Sequence, residues 1–362
     1  MGQMARCAFL RQERACTVGV QRVRRDRPMH LLVLSRNPQL YSTSRLVLAA
    51  RSRGHIVTVA DPLRFRIVIA KGLPALFYND LPIGRTDMVI PRIGASITNY
   101  GLAVVRQFDM MGVPMLNNAV AIARSRDKLR AMQLLTKKKI DVPITVCART
   151  PESVELSLKF VGGTPAIVKL QQGTQGIGTM IAETPQAVTS LLEALWAMGQ
   201  DIVLQEYISE ARGADVRAFV VGGRVVAAMR RQAKAGEFRS NLHRGGTSVK
   251  IDLDKAYIQA AVAAAKVMGL EVAGVDMLES KTGPKILEIN SSPGLEGIER
   301  ATNVDVAGAI IAHAEKMLVR RATRKQRRDD VVEGERRSTR MRDSLVPVPS
   351  AGGKRVRLVR GA

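Results

Sequence analysis

Residues 272–290 read VAGVDMLESKTGPKILEIN, two apolar runs joined by the turn-forming segment ESKTGP. Asp276 stands near the middle of the first run, while Glu288 and Asn290, two apart on the second, point to one face of a strand. A hairpin centred on Thr282 places 276 and 288 equally far from the centre, so the two carboxylates face one another across the ladder. Opposed like charges are destabilising in a sheet, and burying them is costly unless a cation compensates. Two carboxylates and an amide oxygen select a hard ion, Mg²⁺ or Mn²⁺, with the remaining positions left to water and phosphate. The competing reading is a solvent-facing hairpin with ordinary polar residues.

Toward the N-terminus, Lys169 lies on the predicted strand AIVKLQQ, followed by Gly173-Thr174-Gln175-Gly176-Ile177-Gly178 and a further strand, TMIAE. Three glycines let backbone N–H groups close over phosphate oxygens without obstruction by Cβ atoms. This GxxGxG between strands is neither the dinucleotide fingerprint, which opens a helix, nor a P-loop, which ends Gly-Lys-Ser/Thr. A plain hairpin with a glycine turn accounts for the same residues.

Around these two stretches, strands and helices alternate. Residues 29–115 predict a small α/β domain: strand HLLVLS, helix SRLVLAARSR closed by Gly54, strands HIVTVAD and DMVIPRIG, and helix TNYGLAVVRQFDMM closed by Gly112. Residues 116–208, from helix SRDKLRAMQLLTKK to strand DIVLQEYI, predict an α+β lobe carrying the glycine loop. Residues 209–318 predict a third lobe with hairpin RAFVVGGRVVAAMR, helix AYIQAAVAAAKVM and the carboxylate hairpin. His30, His55 and His313 sit singly and read as structural, whereas His243, inside SNLHRGG, is the histidine worth testing.

The 362 residues carry 56 Lys plus Arg against 32 Asp plus Glu, a net charge of +24 that brings polyanionic partners into consideration. Residues 1–28 hold seven Arg against two acids, and residues 319–362 hold fourteen Lys/Arg against five. Neither end shows apolar periodicity, so both are expected to be disordered, the tail as a solvated extension or as a contact for ribosomal RNA or an acidic protein. Met29 directly precedes the first clean strand, so a wrongly chosen start codon would also explain residues 1–28. There is no run of about 18 uncharged apolar residues and no signal-peptide pattern. Cys7, Cys16 and Cys147 form no CxxC, which suits a reducing cytoplasm and disfavours thiolate metal sites.

Lys-strand, glycine loop and Asp…Glu-x-Asn in this order resemble ATP-grasp ligases. The stretches LSRNPQLYSTSRL, VIPRIGASITNYG, NNAVAIARSRDKLRAMQLL, VKLQQGTQGIG, LQEYISEA, FRSNLHRGG and NSSPGLEGIE together resemble the RimK family, from residue 29 to about 315. The resemblance implies an ATP-grasp fold behind an N-terminal α/β pre-ATP-grasp domain, and ATP-dependent addition of L-glutamate to the C-terminus of small-subunit ribosomal protein six. It implies Lys128, Lys169 and the loop Gly173, Thr174, Gln175, Gly176 and Gly178 at the ATP phosphates. Glu206, Tyr207 and Ile208 are implied at the adenine edge, Asp215 at the ribose side, and Arg239, Ser240 and Asn241 closing over the nucleotide. Asp276, Glu288 and Asn290 would hold two Mg²⁺ or Mn²⁺ ions. Arg231, Arg239 and Arg244 are the candidates for neutralising the transferred phosphoryl group, and Arg92 for a substrate carboxylate. Family precedent further implies a homo-oligomer, a tetramer. The basic tail departs from the family pattern, as does Gln232, where the family carries an Arg after Arg231. A small-molecule glutamate ligase, a poly-glutamate synthetase and a non-catalytic ribosome- or RNA-binding protein are the rival readings.

Overall fold

The structure, a computed structural model, describes residues 27–171, 178–234, 237, 240 and 245–343. The first domain comprises β1 (His30–Leu34), α1 (Tyr41–Ser52), β2 (Ile56–Ala60), β3 (Phe65–Ala70), β4 (Leu73–Tyr78), β5 (Leu81–Pro82), β6 (Met88–Pro91) and α2 (Thr98–Met110). Strands β2, β1 and β6 form a parallel sheet in that order, whose C-terminal ends carry Ser35 and Arg92. Strands β3, β4 and β5 form a separate antiparallel meander that the sequence pattern did not single out. Its periodicity is blurred because the outward positions are apolar too, Ile69 being 89% exposed.

The expected single helix over 125–138 is two helices, α3 (Ala119–Arg126) and α4 (Lys128–Lys137). Asp127 separates them: its extended backbone ends α3, and its carboxylate caps α4 by accepting the N–H of Arg130 at 2.9 Å. The central lobe continues with β7 (Thr145–Val146), α5 (Val154–Phe160), β8 (Ala166–Leu170), β9 (Thr179–Ala182), α6 (Pro185–Ala197) and β10 (Ile202–Glu206), its antiparallel sheet ordered β7-β10-β8-β9. The last lobe has β11 (Ala214–Val221), β12 (Arg224–Gln232), β13 (Thr247–Lys250), α7 (Lys255–Met268), β14 (Val272–Ser280), β15 (Gly283–Asn290), α8 (Glu296–Thr302) and α9 (Val306–Asp343), with sheet order β13-β12-β11-β14-β15. Gly222 and Gly223 turn β11 into β12 with φ of +58° and +74°, as a two-residue hairpin loop requires.

The apolar cores cut across chain order. Ala131, Met132 and Leu135 of α4 share a core with α7 and the five-stranded sheet, whereas the central lobe keeps its own around Val168, Val188 and Leu204. A third core joins the first domain to the last lobe, with Leu31, Val33 and Met88 packed beside Phe219, Met229 and Ile310. His55 to Glu315 at 2.9 Å and His313 to Glu271 at 2.7 Å pin α9 to both, so these histidines are structural as expected.

The tail expected to be disordered from residue 319 instead continues α9 to Asp343. Its first turns bury Val306, Ala307, Ile310, Ile311 and Ala314, so the costly nucleus forms by packing and an arginine-rich sequence, arginine being a good helix former, propagates the helix outward. The expectation for residues 1–26 and 344–362 lies outside the described residues.

Candidate active site

The carboxylate hairpin forms with the expected pairing but by another route. Its turn is Lys281-Thr282, closed by Ser280 opposite Gly283, so regular pairing would set Asp276 against Leu287. A β-bulge between Asp276 and Met277 shifts the register by one and brings Glu288 opposite Asp276. Asn290, two residues on, donates from Nδ2 to Asp276 Oδ2 at 3.4 Å, so the three predicted ligand residues stand together.

Two arginines make the buried Asp276 tenable. Arg217, directly opposite on β11, donates to both oxygens of Asp276 at 2.6 Å, and Arg231 on β12 approaches at 3.0 Å. Arg231 also donates to both oxygens of Asp215, its cross-strand partner, at 2.6 Å from Nε. Burial disfavours the Asp276 charge, but Arg217 and Arg231 outweigh it and hold the carboxyl below its ordinary range. Burial likewise opposes the Arg231 charge, and Asp276 with Asp215 raises its pKa regardless.

Asp215, expected at the ribose side, faces Arg231. It is 3% exposed and spends both oxygens on Arg231, so it positions that guanidinium rather than lining the cavity. Arg217, absent from the candidates, was detectable: it is two residues from Asp215 and so on the same strand face.

Glu288 differs from Asp276 in having no hydrogen bond or ion pair among the described residues. Burial, then the Asp276 charge, pushes its pKa up. A half-buried carboxylate strained in this way, beside an amide and a second carboxylate, fits a hard divalent cation, whose charge would remove the strain.

Lys169 on β8 donates to Gln205 on β10, and Lys128, at the start of α4, donates to Leu170 O at 3.1 Å, which brings the two ammonium groups to one place. Burial lowers both; in Lys169 the Lys128 charge adds to it, and the pKa falls to about 8. Glu206 closes β10, accepts the Ile144 N–H at 3.0 Å and pairs with Lys285 at 2.9 Å; Tyr207 and the buried Ile208 follow. Gly178 has φ of +76°, and a Cβ there would lie 2.7 Å from Leu170 Cδ1, so only glycine re-enters β9 at this point. Gly173, Thr174, Gln175, Gly176, Arg239, Asn241 and Arg244, with His243, lie outside the described residues; Ser240 is buried.

A cavity of about 840 Å³ connects Lys128, Arg217, Arg231, Asp276, Glu288 and Asn290 with Ser35 and Arg92 at the ends of the parallel strands. The loop Ser291–Gly294 forms its floor. Gly274 lets it approach, since a Cβ there would lie 2.8 Å from that of Pro293. Asn117, 3% exposed and missed by the sequence reading, fixes this junction: it donates to Val272 O and Ser291 O at 2.8 and 2.9 Å and accepts from Glu271 and Val272. Only its place in the quoted NNAV hinted at it. Such a site can hold a polyphosphate by its lysines and a cation by its carboxylates, with room beyond for two further substrates.

Residues 29–122 match the RimK PreATP-grasp domain and residues 125–314 the RimK-like ATP-grasp domain. The chain is 56% identical over 288 residues, 80% of its length and 96% of the relative's, to a protein of Ectopseudomonas mendocina (strain ymp) named "Probable alpha-L-glutamate ligase", and 55% identical with the same coverage to one of that name from Pseudomonas aeruginosa (strain UCBPP-PA14). Among solved structures, the ATP-grasp ligase PsnB complexed with minimal precursor superposes with a TM-score of 0.63 at 24% identity, covering 79% of this chain and 99% of that one. The RimK domain protein ATP-grasp from Sphaerobacter thermophilus DSM 20745 gives 0.59 at 21% identity, covering 78% and 98%. With both family models matched in order and more than half of all aligned positions shared with relatives of similar length, the chain belongs to the RimK family of ATP-grasp enzymes, carboxylate–amine ligases that carry a pre-ATP-grasp domain.

Proposed function

We propose that this enzyme joins L-glutamate to the C-terminal carboxylate of small-subunit ribosomal protein six in the cytoplasm, converting ATP to ADP and phosphate. The observation that carries the reading is one cavity in which Lys128, an oxygen-only donor set and uncommitted arginines meet, in a chain 56% identical to a named glutamate ligase. Lys128 and Lys169 hold the ATP phosphates, and Glu206, Tyr207 and Ile208 meet the adenine edge. Asp276, Glu288 and Asn290 would hold two Mg²⁺ or Mn²⁺ ions, which would supply positive charge to offset that of the phosphates. Asp215 and Asp276 keep Arg231 fixed for the charge that develops in transfer.

The acceptor carboxylate oxygen bonds to the γ-phosphorus as the bond to the ADP oxygen breaks, giving an acyl phosphate. The glutamate nitrogen then bonds to the acyl carbon, the carbon–oxygen bond to phosphate breaks, and the amine gives up a proton. Intact-mass spectrometry of purified ribosomal protein six, incubated with enzyme, ATP, Mg²⁺ and L-glutamate, tests this. Glutamyl increments at its C-terminus are expected; a fixed acceptor mass with glutamate-dependent ADP formation would move the search to a small-molecule acceptor or free poly-glutamate.

Helix α9 adds an RNA contact to this reading. At about 100° per residue, Arg320, Arg321, Arg324, Lys325, Arg327 and Arg328 fall within one arc of roughly 160°. All are exposed, and Thr323, Gln326, Asp329 and Asp330 occupy the other side, so there is no apolar face to enter a membrane or a helix groove. Five guanidiniums in six cations favour phosphate over carboxylate-only partners.

A further inference from the structure

Five arginines line the cavity; Arg300 pairs with Glu296 one turn before it on α8, and the other four divide into two kinds. Arg217 and Arg231 are neutralised by Asp215 and Asp276. Arg92 and Arg126 have no carboxylate within ion-pair distance among the described residues. Arg92, where the chain leaves β6, donates from Nη2 to Pro293 O at 2.8 Å, and Arg126, the last residue of α3, donates from Nη2 to the carbonyl oxygen of Ile93. One backbone carbonyl thus orients each group and leaves most of its five N–H donors free. Burial, and for Arg92 the neighbouring Arg126 charge, lowers both, Arg92 to about 10. Glu288 acts on Arg126 only at a distance, and two cations held together with no paired carboxylate among the described residues have the electrostatics of an anion site awaiting its ligand. Beside them on the cavity floor, the hydroxyls of Ser291 and Ser292 are buried without any hydrogen-bond partner.

We propose that Arg92 and Arg126, assisted by Ser292, bind the two carboxylates of the incoming amino acid, one guanidinium to each, and so select an α-amino dicarboxylate. The inference deepens, and rests on, the glutamate-ligase reading. Position supports it: Arg92 is at the C-terminal end of a parallel strand, where open α/β sheets bind ligands, and the cavity runs from there to the Asp276–Glu288 pair. Charge count favours the amino acid over the acceptor. An acceptor brings one carboxylate to the γ-phosphate beside Lys128 and Glu288, whereas free glutamate brings two carboxylates and must keep only its amine for the reacting carbon. Glutamine or isoglutamine, each lacking one negative charge, would leave one guanidinium buried and uncompensated, the situation in which a polar site discriminates strongly.

The test compares wild type with Arg92→Lys, Arg92→Gln and Arg126→Gln, with KM measured separately for L-glutamate, ATP and acceptor, and with L-glutamine and L-isoglutamine as alternative nucleophiles. Each Gln variant is expected to raise KM for glutamate by about 30-fold or more, with KM for ATP within about threefold, and Arg92→Lys is expected to recover part of the loss. One Gln variant should relax discrimination against glutamine and the other against isoglutamine, each by at least about tenfold, a split that a merely structural arginine would not produce. An unchanged glutamate KM with a raised acceptor KM would overturn the inference, as would unaltered discrimination in both variants. Equilibrium binding of glutarate, a dicarboxylate with no amine, separates this inference from the activity itself. Wild-type binding that both Gln variants lose supports the site even if glutamate is not ligated. No binding to wild type, or equal binding to all variants, overturns it even if glutamate is ligated.

Discussion

The charge chain Asp215–Arg231–Asp276–Arg217 and the cationic face of α9 use similar side chains in opposite surroundings. In the first, side-chain exposures of 4–16% leave each charge dependent on its neighbour. In the second, every cation from Arg320 to Arg328 is exposed and answers mainly to solvent and salt. Buried charge carries geometry, because a guanidinium fixed at both ends cannot relax away from a developing anion. Exposed charge carries association, because it releases counterions without being held in one place.

The sharpest way to break the comparison is to disable the site while leaving its buried chain intact. Glu288→Gln removes a carboxylate that no described side chain pairs, so it is expected to lower ATP turnover by about 10³-fold or more with an unchanged fold. Retained turnover with Mg²⁺ would dismiss the metal assignment. Next in size is Arg231→Met, which strands Asp215 at 3% exposure and leaves Asp276 with Arg217 alone. A loss of roughly 3–5 kcal/mol in denaturant unfolding is expected. A loss below about 1 kcal/mol would mean that the buried chain is dispensable to the fold.

The pH dependence of Lys169 sharpens the comparison further. Its pKa of about 8 in the fold lies below the ordinary 10.5, so between these values the unfolded chain holds a proton that the folded chain has lost. The stability of the empty enzyme should therefore rise with pH from about 8 to 10.5, this contribution being level below 8. ATP binding favours the charged lysine and should weaken over the same interval, approaching tenfold per pH unit. An ATP Kd that is flat from pH 8 to 10 would remove Lys169 from the phosphate site.

The smallest effects on the enzyme itself belong to α9. Replacing Arg320, Arg324, Arg327 and Arg328 with Gln is expected to shift Tm by no more than about 2 °C and to leave peptide glutamylation unaltered. The same variant should flatten the log–log salt dependence of RNA binding by about 3 to 4, because four fewer phosphates are neutralised and fewer counterions are released. An identical slope in both proteins would leave α9 a solvated extension.

Much of the site was legible because the chemistry needs particular residue types at short spacings. Asp276, Glu288 and Asn290 were found from strand periodicity alone, yet the arithmetic that paired 276 with 288 assumed a turn centred on Thr282, and the true turn needs a bulge to reach the same pair. A bulge is a one-residue defect with no composition of its own, so spacing could not announce it. The Asp215–Arg231 pair was not foreseen because the two lie sixteen residues apart across a hairpin, and Arg126 and Asn117 were missed because their partners lie 33 to 174 residues away. The helical tail was misread because composition weighs burial per segment, while α9 draws its nucleus from a core that it shares with the first domain.

The sequence by itself determined most of the elements, the meeting of Asp276, Glu288 and Asn290 and the family, since each is written in local patterns or in motifs quoted in order. Tertiary structure alone decided which charges are neutralised and which are left open. Arg217 and Arg231 meet carboxylates across the sheet, whereas among the described residues Arg92 and Arg126 meet only backbone carbonyls. The reason is physical: an arginine's role is set by what stands within about 4 Å of it once the chain is folded, and that neighbour is rarely close in sequence.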